Sequence, residues 1–258
     1  MLLSNIFSRA RRTQFLRAHF RCKPSLRAVA VLSTALVMGP AQAADRVTDA
    51  VQAAYGPYRT ALFQTNGKSA EQASQAVAQA AESWKLLAAR FVATPPAPYD
   101  RDGAFADTLR QVTTVYARAD SQVQAGQLQQ AHETLEQVRD LLAELRQRNG
   151  VVVYSDHMNA YHQQMEHVLN GGAKTLAAEG GMLAMAAQVG VLDHLAEQLR
   201  LRAGPSLAGN GEFTALLQAV QDSVAALRLA VQRQDEAAVR AAIGKLKSPY
   251  SRLFLKFG

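Results

Sequence analysis

The chain has 258 residues with 28 Lys and Arg against 21 Asp and Glu, a formal net charge of +7, and a single cysteine, Cys22. Seven of the basic residues (Arg9, Arg11, Arg12, Arg17, Arg21, Lys23, Arg27) precede the first acidic one. Without that segment the balance is 21 against 21, so the clustered cations that a nucleic-acid binder needs are absent. A chain that loses Cys22 with the same segment can form no disulfide, no thiolate zinc site and no C-x-x-C-H haem attachment.

Residues 1–43 have the parts of a secretory signal peptide: the basic start, an apolar run from Ala28 to Met38, and a small-x-small site ending at Ala43. The run is shorter than the roughly 20 residues of a membrane-spanning helix. Arg11-Arg12 followed by Phe15-Leu16 is spaced one residue too long for a twin-arginine signal. The expected product is an exported, periplasmic protein with no membrane span after residue 43.

From there the apolar residues recur at steps of three and four, the helical period, and no alternating strand pattern competes. The first half reads as helices over 46–65, 69–93, 103–124 and 127–148. Ser69 and Gln72 form a capping box, and Thr94-Pro95-Pro96-Ala97-Pro98 opens the crossover. One stripe runs Phe105, Leu109, Val112, Tyr116, Ala119, Val123. After Gly126 the next runs Leu128, Ala131, Leu135, Val138, Leu142, Leu145. The second half reads as helices over 155–170, 176–203, 211–232 and 235–257, with Asn210 and Asp235 as N-caps. Pro249 should kink or restart the last helix.

Both stripes return 108 residues later, with Phe213 at the place of Phe105, Gln232 at that of Gln124 and Gly258 at that of Gly150. Matched gaps and ends point to an internal duplication. The expected fold is all-α: two tandem antiparallel four-helix bundles, 44–150 and 151–258. One fused bundle of longer helices is the alternative.

Ligand chemistry concentrates between residues 157 and 167, where His157, Met158, His162, Met165 and His167 fall. At about 100° per residue, Tyr154, Met158, Tyr161 and Met165 share one arc. His162 lies on its edge beside Glu166, and His167 points away. Such a stripe is most simply core. Its alternative use is a soft-metal site, with Met158, His162, Met165 and Glu166 joined by Met182 and Met185 from the next helix, a set suited to copper. His132 and His194 read as surface residues, and Trp84, Tyr55 and Tyr58 as core. No Glu-x-x-His pair supports a di-iron site. No nucleophile elbow, thiol or phosphate loop favours an enzyme.

The segment from Thr94 to Gly150 resembles the later half of the soluble periplasmic cytochrome b-562 family, through Thr94-Pro95-Pro96, the Phe105-led helix, the Gly126 turn and the Ala/Gln-rich Gln127–Arg148 helix. The resemblance implies a four-helix bundle holding haem b between a first-helix Met and a fourth-helix His. Met165, with His162 beside it, would be the cofactor-binding position of the second half. The family's His position falls near Arg146 in the first half and near Phe254 in the second. Two functions are expected from these readings: a periplasmic binding protein for haem or a soft metal, or a structural module that binds a periplasmic protein partner without a prosthetic group.

Overall fold

The computed structural model describes residues 45–258; the expected signal peptide, residues 1–43, lies outside the described residues. Helix α1 (Arg46–Thr65) starts where the Asp45 carboxylate accepts from the Val47 and Thr48 amides. It carries Pro57 in its interior, which leaves the Ala53 carbonyl without its helical donor. Helix α2 (Ala70–Phe91) is capped by Ser69 Oγ, which accepts from Gln72 N–H at 3.2 Å. A 3-10 turn (Tyr99–Arg101) leads into α3 (Phe105–Gln124), and α4 (Leu128–Arg148) follows the Gly126 turn. Consecutive helices pack side by side, and α1 also packs on α4.

The second half repeats this order with α5 (Tyr154–Ala177), α6 (Gly181–Leu201), the short α7 (Pro205–Ala208) and α8 (Gly211–Gln232). Asn210 Oδ1 caps α8 by accepting from the Glu212 and Phe213 amides. The last segment is broken into α9 (Glu236–Ile243), capped by Asp235, and α10 (Lys247–Phe257). Pro249 stands in the first turn of α10, where its missing N–H has no helical acceptor to leave unfilled. The described residues are all-α, and none of these helices is long and apolar enough to cross a membrane.

The helix expected over 155–170 does not end there. Helix α5 runs through Gly171-Gly172 to Ala177, and the break falls at Gly180, whose φ of +67° only glycine adopts freely. Gly172 is retained in the helix for space: a Cβ there would lie 2.9 Å from Ile243 Cδ1 and 3.4 Å from Met185 Cε. Close packing of α5 on α6 and α9 outweighs a propensity loss of about 1 kcal/mol.

The 108-residue spacing of the stripes has a counterpart in the backbone. Gly126, at the α3–α4 turn, has φ +75°; Gln234, 108 positions on at the α8–α9 turn, has φ +55° and is the single non-glycine with positive φ among the described residues. The two halves do not have separate interiors. The described residues form one compact unit with one continuous apolar core. They join along a seam where α1 packs on α10, and where α4 side chains reach α5.

Candidate functional site

The seam is built from the flank of the α4 stripe. His132, Arg139 and Arg146 each follow a core position (Ala131, Val138, Leu145) and repeat every seven residues, so one charged line runs beside the apolar one. In the second half the equivalent flank reads Arg240, Lys247, Phe254. Arg139 and Arg146 are buried. The Arg146 guanidinium forks onto Asp156, with Nε 3.0 and 3.1 Å from its two oxygens. Asp156 also accepts from Val153 N–H at 3.0 Å, so one carboxylate caps α5 and ties it to α4.

One helical turn and more along the seam lies a pocket of about 60 Å³, walled by α1, α4, α5 and α10. Its polar lining includes Arg59, His132, Glu136, Arg139, His162 and Lys247; its apolar wall is formed by Leu62, Phe63, Met165 and Phe254. His132 contradicts the surface reading. Its Nδ1 stands 3.0 Å from the Leu62 carbonyl, which can only accept, so Nδ1 carries the proton and Nε2 faces Glu136 Oε1 at 3.8 Å. The same oxygen lies 3.5 Å from His162 Nε2 and 2.8 Å from Arg139 Nη2. The His162 ring packs on Tyr250 at 5.3 Å, and Tyr250 donates to the Met158 carbonyl at 3.2 Å.

The field in the pocket is positive. Burial would raise the Glu136 pKa, but the hydrogen bond from His162 and the charges of Arg139 and His132 outweigh it and hold the carboxyl at about 2. Burial lowers the His132 pKa, against the pull of Glu136 and the Leu62 carbonyl. Arg59 has no carboxylate within ion-pair distance among the described residues. Its Nη2 meets only the Lys256 carbonyl, at 3.4 Å, and its buried Nε has no partner. Lys247 Nζ lies 3.3 Å from Glu166 Oε1, an ion-pair contact without hydrogen-bond alignment.

Polar groups without partners are spread along the seam, two of them, Arg59 Nε and His162 Nδ1, on side chains that line the pocket. Of the eleven buried side-chain nitrogen and oxygen atoms lacking a hydrogen bond among the described residues, eight belong to the seam: Tyr55, Arg59, Arg146, Ser155, His162, Glu166 and both amide atoms of Asn159. The Tyr55 hydroxyl lies against the Asn159 amide without the alignment of a hydrogen bond.

The six residues expected to hold a metal are not brought together. His162 and Met165 share the pocket, and Glu166 stands at its edge with Lys247. Met158 is fully buried one turn away under Tyr250. Met185 is buried against Gly172, seven residues beyond Met165 on α5, or about 10 Å along the axis, and Met182 is half-buried on the same helix end. The reason is the antiparallel α5–α6 hairpin: the start of α6 meets the end of α5, not its middle. Among the described residues no group of three or more His, Cys, Asp or Glu is placed to share a metal ion. A divalent cation in the pocket would also face three cationic side chains against two carboxylates.

Haem does not fit either. The space holds a few waters at about 10–15 Å³ each, not a macrocycle. Arg146 is paired with Asp156, and Phe254 packs edge-on against Tyr55 at 6.5 Å, so the two positions at which the resembling family keeps its histidine both serve the seam. His194 and His167 are exposed, and His157 is half-buried near Asp156 and Arg202. Trp84 is core, as expected, with Nε1 donating to the Leu109 carbonyl at 3.2 Å. The residues that the helical stripes did not single out are Arg59, Glu136, Arg139 and Lys247. The seven-residue spacing of His132, Arg139 and Arg146 was a signal for Arg139 alone. Comparison with family models, with curated proteins and with solved structures finds no match to this chain.

Proposed function

We propose that this chain is an exported, non-catalytic binding protein that takes a small polar ligand into the pocket between its two halves. The observation that carries this reading is the concentration of unmet buried polar groups along the seam. Each such group costs about 1–3 kcal/mol when left unpaired. Two of them, Arg59 Nε and His162 Nδ1, belong to side chains that line the pocket, and a ligand that meets those two gains affinity without new apolar area. Export is supported by the basic, apolar and small-residue pattern of residues 1–43.

The make-up of the pocket supports binding over catalysis. Its serine, Ser251, donates to the Lys247 carbonyl at 2.9 Å, away from either imidazole. The carboxylate beside the imidazoles is held ionised by the hydrogen bond from His162 and the charge of Arg139, which suits a structural anion better than a general acid.

The test uses the methionine methyl groups, because Met165 lines the pocket and Met185 does not. A panel of small cationic, anionic and neutral polar compounds, added to the full chain after removal of the leader, is expected to shift the Met165 methyl resonance and leave Met185 in place. A panel that moves neither would sink the reading.

A second reading, a protein-interaction module, is favoured by α6, where Leu183 is 79% and Val191 49% exposed two turns apart on one face. It predicts concentration-dependent sedimentation that Leu183→Glu abolishes.

A further inference from the structure

We infer that the ligand of the seam pocket is a short-chain carboxylate, its carboxyl group held by the Arg59 guanidinium and its tail laid on the Leu62, Phe63 and Met165 wall; this rests on the pocket being a binding site at all. Arg59 is the cation of the pocket that the fold leaves free. Arg139 is taken by Glu136 and Lys247 by Glu166. Arg59 instead keeps a buried Nε without an acceptor, and its second contact is a neutral backbone carbonyl at 3.4 Å. Burial lowers its pKa, as expected for a guanidinium withdrawn from water with no anion to compensate it. The Nε and one Nη of arginine form a planar fork that matches the two oxygens of a carboxylate.

The rest of the lining narrows the class. The pocket is small, and its lining combines the cations Arg59, Arg139 and Lys247 and the carboxylate Glu136 with the apolar Leu62, Phe63, Met165 and Phe254. A phosphate would turn polar oxygens toward that apolar wall, which is unfavourable without partners. A carboxylate with two or three carbons presents oxygens to the fork and a methyl or ethyl group to the apolar side chains. A cationic ligand would meet Arg59, Arg139, Lys247 and both imidazoles. A neutral amide would leave the Arg59 charge uncompensated.

The experiment is a titration of the leader-free chain with sodium propionate, propionamide and sodium phosphate at constant ionic strength, read at the Met165 and Met185 methyl groups. Propionate is expected to saturate the Met165 shift. Propionamide and phosphate should bind about tenfold more weakly or not at all. Arg59→Gln should weaken propionate about tenfold or more with Met185 unmoved, and Arg59→Lys should recover part of the loss, because charge returns without the fork.

Propionamide binding as tightly as propionate overturns the carboxylate assignment while leaving the pocket reading intact, and so does phosphate binding more tightly. Propionate binding unchanged in Arg59→Gln removes Arg59 from the site. No shift of Met165 with any of the three, while another compound of the broader panel moves it, overturns the ligand class alone. No shift with any compound ends both readings.

Discussion

The α3–α4 hairpin and its repeat, α8 with α9 and α10, start from the same sequence plan and end differently. Both turn through a residue with positive φ, glycine at 126 and glutamine at 234. Both bury the same stripe, Leu135, Val138 and Leu142 in one, Ile243 and Leu246 in the other. Yet α4 is continuous over 21 residues, whereas its repeat breaks after Ile243 and restarts at Lys247. Glu136 of the first half is Gly244 of the second, and a proline follows at 249. The charged flank diverges as well, with Arg146 paired to Asp156 where the repeat has Phe254 packed on Tyr55. The two hairpins tolerate this because the apolar stripe fixes each of them, while the flank is free to differ along the seam.

The largest way to break this comparison is at the flank. Arg146→Met removes one member of a buried, bidentate pair and strands Asp156, and it should destabilise the protein by about 3 kcal/mol. Phe254→Met, at the repeat position, conserves the apolar character and should cost less than about 1.5 kcal/mol. Urea midpoints of the two variants measure the difference. Equal losses would mean that the two flanks contribute alike and that the seam is not held by the ion pair.

A smaller effect comes from the turns. Gln234→Gly removes the left-handed strain of a residue with a side chain and should stabilise by about 0.5–1 kcal/mol. Gly126→Gln, the reverse change at the matching site, should destabilise by about 1–2 kcal/mol. Thermal unfolding of both variants reads the two signs. Like signs would break the equivalence of the turns.

A pH slope sharpens the contrast between Glu136 and its repeat, Gly244. The folded Glu136 pKa of about 2 lies below its ordinary 4.5, so the unfolded chain binds the proton first. The contribution of Glu136 is therefore present above about pH 4.5 and lost as pH falls through about 2. Unfolding free energies of Glu136→Gln and parent across that window should converge at the acid end. A constant gap between them would show that Glu136 is not held ionised by its neighbours.

The helix ends show how much was legible locally. Ser69, Asn210 and Asp235 cap the helices their side chains announced, and Pro249 stands at the restart it called for. Gly171-Gly172 misled, because a glycine kept for close packing under Ile243 and Met185 looks, along the chain, the same as one kept for a turn. At the site, His162 and Met165 were visible as the edge and centre of an apolar arc. His132 was misplaced on the surface, and Arg59 was not distinguished at all.

The sequence by itself determined the long helices, the caps at Ser69, Asn210 and Asp235, the restart near Pro249 and the repeated stripes. These depend on neighbours within one or two turns, where period and backbone freedom act directly. Only the tertiary structure decided which flank of each helix is buried, that the halves share one core, and that Arg59, Glu136, Arg139, His162 and Lys247 meet in one pocket. Partners such as Leu62 and His132, or Arg146 and Asp156, are chosen by how the halves close on each other. That choice follows from shape and charge across the seam, and no local period in the chain encodes it.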